Sequence, residues 1–168
     1  MSEHPLDELL KWFPEHDFAL LSHGFAQHGR DYFLVTQFGG VKNPGTYELS
    51  FTHCVRAYVR TNVGDAAWPM SWSDELTDYD RWLAAGEPDG YVWGTNWSLA
   101  FPGLVAVRES KEAADWARRV GHEMYEATLE SDRVFLSLVF HSIRSRRLND
   151  DSSTVDHVII PNPPPDIG

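Results

Sequence analysis

Residues Tyr47 to Arg60 alternate with a period of two, and that pattern constrains the fold more than any other stretch. Odd positions read Tyr47, Leu49, Phe51, His53, Val55, Ala57 and Val59; the even positions are mostly polar, with Glu48, Ser50, Thr52, Arg56 and Arg60 among them. Neighbouring side chains on a strand point to opposite faces, so this run has one apolar face and one that meets water. It is longer than an ordinary strand, and a bulge or bend within it is expected.

Other strands follow from the same reasoning. Phe18–Ser22 and Asp31–Phe38 flank a Gly-bracketed connection, Gly24 to Arg30, that can close a hairpin. Val134 to Phe140 is almost continuously apolar, as in a strand buried on both faces. Tyr91–Trp93, Trp97–Phe101, Leu104–Val107 and Tyr125–Leu129 are further extended runs, with Pro102-Gly103 read as a turn. Three helices are expected. Leu6, Leu9, Leu10 and Phe13 share one face after Pro5, and Pro14 stops that helix. Ser73 caps a second helix running to Ala85, with Leu76, Tyr79, Trp82 and Leu83 inward. Ser110 caps a third, Lys111 to Val120, stopped by Gly121. Strands come in groups rather than in strict alternation with helices. The expected class is α+β, a mostly antiparallel sheet with about three helices packed on it. Residues 1–148 form the single domain of this reading. Residues 149–168 form an extended Pro-rich tail in which Val158–Ile160 could add an edge strand.

Charge narrows the partners. The formal net charge of −11 repels nucleic-acid phosphates and anionic membranes and favours a basic protein. Six acids, Asp74, Glu75, Asp78, Asp80, Glu87 and Asp89, crowd the second helix and its exit against one base, Arg81. Trp68, Trp72, Trp93 and Trp97 lie beside them in loop positions, where tryptophan serves either core filling or recognition. Those eight residues (Trp68, Trp72, Asp74, Glu75, Asp78, Asp80, Trp93 and Trp97) are the candidate partner-binding set. Trp82 and Trp116 fall on helical apolar faces and read as core. No apolar run approaches bilayer-spanning length, and the N-terminus lacks a signal-peptide pattern, so the cytoplasm is the expected location.

Catalytic motifs do not appear: there is no G-x-S-x-G elbow, no P-loop, no G-x-G-x-x-G and no H-E-x-x-H. The catalytic residues are unassigned, no cofactor is indicated, and a non-enzyme is the favoured reading. Cys54 is the only cysteine and reads as a small buried hydrophobe. Among eight histidines, His23, His28, His53 and His141 could converge; His23, His28 and His53 with Asp31 are weak metal candidates, without a standard ligand spacing. They define one alternative, a small metal-dependent enzyme or ligand-binding domain. The other alternative is a homo-oligomeric structural subunit, joined by an edge strand or a Trp patch.

Several phrases together carry a family likeness: His23-Gly24-Phe25 with Arg30-Asp31-Tyr32, Ser71-Trp72, Tyr91-Val92-Trp93-Gly94-Thr95-Asn96-Trp97-Ser98, and Phe140-His141. They resemble the YxiG-like family of small bacterial proteins over roughly residues 20–148. The resemblance brings no catalytic residues. It implies an immunity-type role, in which an acidic protein masks the basic surface of a toxin.

Overall fold

The computed structural model describes residues 3–13, 17–88 and 92–149. Pro14, the Asp89-Gly90 turn, the first residue of the expected Tyr91–Trp93 strand, and the tail from residue 150 onward with Val158–Ile160 lie outside the described residues. Among the described residues eight strands are formed: β1 (Phe18–Phe25), β2 (Tyr32–Phe38), β3 (Gly45–Thr52), β4 (Arg56–Thr61), β5 (Ser98–Val107), β6 (Tyr125–Ser131), β7 (Val134–Phe140) and β8 (Ser142–Arg147). They make one antiparallel sheet in the order β4-β7-β6-β5-β1-β2-β3-β8.

The two ends of that order are joined by the chain itself. The alternating run of residues 47–60 is β3 and β4, two halves of one strand bent at His53. Likewise β7 and β8 are two halves of a second strand, bent at His141. Tyr47 pairs with Arg147 and Thr52 with Ser142; beyond the bend, Arg56 pairs with Val139 and Thr61 with Val134. Across the bend itself Val55 N–H donates to Val139 O and His141 N–H to Thr52 O, both at 2.9 Å. The two bent strands therefore pair along their whole lengths, and the ladder closes on itself. A sheet closed on itself supplies its own core, because the inner side chains of opposite strands meet. Leu34 faces Leu49 across β2–β3, and Leu129 faces Leu136 across β6–β7. All four are buried in one cluster with Leu20, Phe51, Leu138 and Phe140.

The helices are small accessories to this ring. Helix α1 (Pro5–Trp12) sends Leu6, Leu9 and, from its C-cap, Phe13 into the same cluster. It contacts β5 and β8, two strands that do not pair with each other. Its cap is His4: Nδ1 accepts from Leu6 N–H at 3.1 Å while Nε2 donates to Glu126 O at 3.1 Å. Arg108 pairs with Asp7 at 2.6 Å and ties the first turn to the end of β5. Helix α3 (Lys111–Val120) lies on the outside of β7, where Ala113, Trp116 and Ala117 pack with Val55, Met124 and Val139. Leu138 points into the main cluster and Val139 into this outer one, which accounts for the unbroken apolar run. Arg56 clamps the layer. Its guanidinium bonds Glu112 on α3 at 2.9 and 3.0 Å, Glu126 on β6 at 3.2 Å, and Ser137 O and Oγ on β7 at 2.9 and 2.8 Å.

Three expectations need correction. The first is the class: the chain is mostly β, an eight-stranded antiparallel sheet with short helices, and not an α+β layer of three helices on a sheet. Closure leaves no broad apolar sheet face for a helical layer to cover. The second is the helix from Ser73 to Ala85. A 3-10 turn, Trp68–Ser73, occupies its start, and Asp74 with φ 56° breaks the chain direction. Helix α2 is only Tyr79–Ala84, capped by Asp78, whose carboxylate accepts from Arg81 N–H at 3.1 Å. Of the four side chains expected inward, Leu76 is fully buried and Trp82 half-buried, while Tyr79 and Leu83 are exposed. The third is Pro102-Gly103, which does not turn the chain. β5 runs through it with a register shift between Ala100 and Gly103, a bulge being one of the places where a strand tolerates proline.

Candidate functional site

Residues 62–97 connect β4 to β5 and carry all eight candidate partner-binding residues. The excursion is held by a few internal contacts. Trp68 Nε1 donates to Val63 O at 3.2 Å, and the Trp68 and Trp93 rings meet at 5.2 Å. Trp93 N–H donates to Leu76 O at 3.1 Å, which folds the returning chain over the buried Leu76. Trp82 Nε1 donates to Pro88 O at 2.7 Å. At the far end, the Arg133 guanidinium reaches Thr95 O at 2.8 Å and anchors the excursion to the turn between β6 and β7.

The eight candidates therefore divide. Trp68 and Trp93 are joined and partly structural. Trp72 projects from the 3-10 turn with 86% of its surface exposed. Asp74 lies 3.7 Å from Arg81 across solvent, and Asp78 is committed to capping α2. Glu75 is half-buried and Asp80 exposed, with no described partner for either carboxylate. Trp97 is exposed at the entrance to β5, outside the Trp68–Trp93 pair. The result is one protruding tryptophan amid carboxylates on a segment that packs only lightly on the ring.

The histidine candidates also divide. His23 is turned inward, its Nδ1 2.8 Å from the Tyr32 hydroxyl, and burial lowers its pKa. Burial likewise pushes the Tyr32 phenol up to about 12. His28 sits 3.7 Å from Asp31, whose carboxylate is chelated by Arg30 at 2.8 and 2.9 Å and accepts from His53 N–H at 3.0 Å. The Arg30 guanidinium, with that backbone donor, holds the Asp31 carboxyl far below the usual carboxylate range. Among the described residues no group of three or more His, Cys, Asp or Glu is arranged to hold a metal ion.

His53 is placed by backbone geometry rather than by strand parity. The alternation puts it on the apolar face, but its φ of 50° marks the bend, and its side chain leaves the core while Cys54 enters it. Cys54 donates through Sγ to Arg56 O at 3.3 Å, and burial pushes its thiol up to about 11. Outside the core, the His53 ring stands 5.9 Å from the His141 ring, and the His122 ring 5.8 Å from His141. Val55, Val120 and Met124 complete a cavity of about 210 Å³ around these imidazoles. Of the histidines expected to converge, the rings of His53 and His141 meet, while His23 lies against Tyr32 and His28 against Asp31. His122 escaped sequence reasoning; its only local signal is its place just after Gly121, the glycine that ends α3.

Among the described residues, no helix is long and apolar enough to cross a membrane. The chain is similar to a crystal structure of an uncharacterized protein from Neisseria gonorrhoeae, at 9% identity and a TM-score of 0.34, over 79% of this chain and 93% of that one. No curated protein matches it. The model of the YxiG-like proteins matches residues 2–158, including the ring, the protruding excursion and the histidine-lined cavity, and the chain belongs to that family.

Proposed function

We propose that this protein is a binding protein that engages a basic protein partner through the excursion between β4 and β5, with an immunity-type role against a basic toxin. The observation that carries the reading is Trp72, 86% exposed on the same segment as Asp74, Glu75, Asp78 and Asp80. A large ring held in water is the usual centre of an interface, and burying it on a partner contributes about 2 kcal/mol or more. Carboxylates around it attract a cationic surface and discriminate against acidic ones. The net charge of −11 extends that field over the whole molecule.

Capture from the native host lysate tests this, comparing wild type with Trp72→Ala and with the double variant Glu75→Lys/Asp80→Lys. Asp74 and Asp78 are left intact because they shape the segment. The expected result is one basic protein retained by wild type, lost from both variants, and released at about 1 M salt, where screening acts within about 3 Å. Equal capture by all three proteins, or a complex indifferent to salt, rules the reading out.

A further inference from the structure

We propose that the cavity where the two long strands bend binds a small planar aromatic molecule carrying one hydrogen-bond donor, a site separate from the partner-binding excursion. The lining sets the class of guest. His53, His122 and His141 supply ring faces and edges, and Val55, Val120 and Met124 supply aliphatic and thioether contact. Among the described residues no carboxylate, lysine or arginine lines it, so a guest of fixed charge finds no counter-ion there. A flat apolar ring finds aromatic edges at His53–His141 and His122–His141, crossed at 85° and 65°, and a methionine sulfur beside them.

The donor requirement comes from His141. Its Nδ1 lies 2.7 Å from Glu123 O. A carbonyl oxygen only accepts, so Nδ1 carries the proton, and in the neutral ring Nε2 is left as an acceptor. A guest with an N–H or O–H satisfies that acceptor; one without leaves it unpaired on binding. Size follows from volume. Filled to liquid-like density, about half of the 210 Å³ is occupied by atoms, which suits one or two fused rings.

The wall itself is held in a costly conformation. A non-glycine residue at φ 50° persists only when its surroundings fix it, and His53 is fixed by two adjacent bonds: its own N–H to Asp31 Oδ1 at 3.0 Å and Cys54 N–H to Arg30 O at 2.8 Å. The β1–β2 connection thus holds the ring of His53 at the cavity. A metal ion is the competing occupant of three imidazoles, but the described groups are not arranged for one.

The test is an NMR titration of the full chain followed at the Met124 methyl group, with indole, 1-methylindole, benzoate and zinc chloride as probes. Indole is expected to give a saturable shift, with 1-methylindole and benzoate each at least tenfold weaker. In His141→Phe, which keeps a ring and removes the acceptor, indole and 1-methylindole should bind within about twofold of each other. Val120→Trp, at a position already 40% exposed, should fill the cavity and abolish the shift. Trp72→Ala should bind indole as wild type does, which separates this site from the partner-binding reading. No saturable indole shift, equal binding of the two indoles by wild type, tighter binding of benzoate, or stoichiometric zinc binding in place of indole would each overturn the proposal.

Discussion

The hydroxyl oxygens of Thr52 and Ser142 lie 2.6 Å apart, directly opposite each other where both long strands bend. Thr52 is almost fully buried, and this pair fixes the register of the β3–β8 half of the ladder just before the one-residue slip that starts the β4–β7 half. Thr52→Val should cost about 1–2 kcal/mol by urea unfolding, because it leaves the Ser142 hydroxyl without its partner. The double variant Thr52→Val/Ser142→Ala should recover part of that loss. Strict additivity of the two changes would show that the hydroxyls do not interact.

Arg56 is the second point of attachment at the bend. It links α3, β6 and β7 through five hydrogen bonds. Arg56→Ala leaves the partly buried Glu126 carboxylate with hydroxyl donors from Ser110 and Ser137 but without this cation, and a loss of about 2 kcal/mol is expected, less than for a fully buried pair because water reaches Glu112. Glu126→Gln in the Arg56→Ala background should restore some stability. If it lowers stability further, the carboxylate is not the source of the cost.

Acid should weaken the fold in two stages. Burial depresses the folded-state pKa of His4 and His23 below the ordinary imidazole value. The unfolded chain therefore binds these protons first. Their contribution is fully present above about pH 6.5 and is lost as pH falls through the folded values. Asp7, paired with Arg108, and Asp31, paired with Arg30, are depressed too, and their contribution is lost only below about pH 4. Stability measured by urea between about pH 7 and pH 5 should decline, and His23→Gln should flatten that slope while leaving the lower stage unchanged. An identical slope in the variant would place the proton uptake elsewhere.

Cys54 should be silent in the folded protein. Its sulfur is buried and its thiol is raised to about 11, so almost no thiolate exists at pH 8. A disulfide-exchange reagent at that pH should label it only at the rate of unfolding, and quickly in denaturant. Immediate labelling of native protein would mean that the bend opens on its own.

Much of this arrangement was readable where one local pattern dominated. The face of α1 and the double burial of β7 followed from spacing alone. The second helix was misplaced because Ser73 and Asp78 are equally good N-caps, and only the fold of Leu76 under Trp93 selects the later one. Pro102-Gly103 has turn chemistry, yet the pairing of β5 with β1 and β6 keeps it extended. The class was misread for a related reason. Closure depends on β3 meeting β8, and neither sequence signals the other. The cavity shows the same limit: His53 was assigned to the core by parity, and the slip at the bend put it outside beside His122 and His141. Trp72 was read as a loop residue and is exposed, whereas its acids were read on a helix that forms only from Tyr79 onward.

The meeting of Tyr47 with Arg147 also sets a schedule for the chain as it is made. β3 gains β2 as a neighbour early, but its other edge stays bare until the ribosome has released β8. α1 waits on β6 as well, since the carbonyl that fixes His4 belongs to Glu126. Contacts this distant in sequence close slowly, and an exposed strand edge recruits other chains while it waits. A nascent chain stalled before β8 should thus be the form most in need of a chaperone, and a truncation ending at His141 should clump where the longer chain stays dispersed.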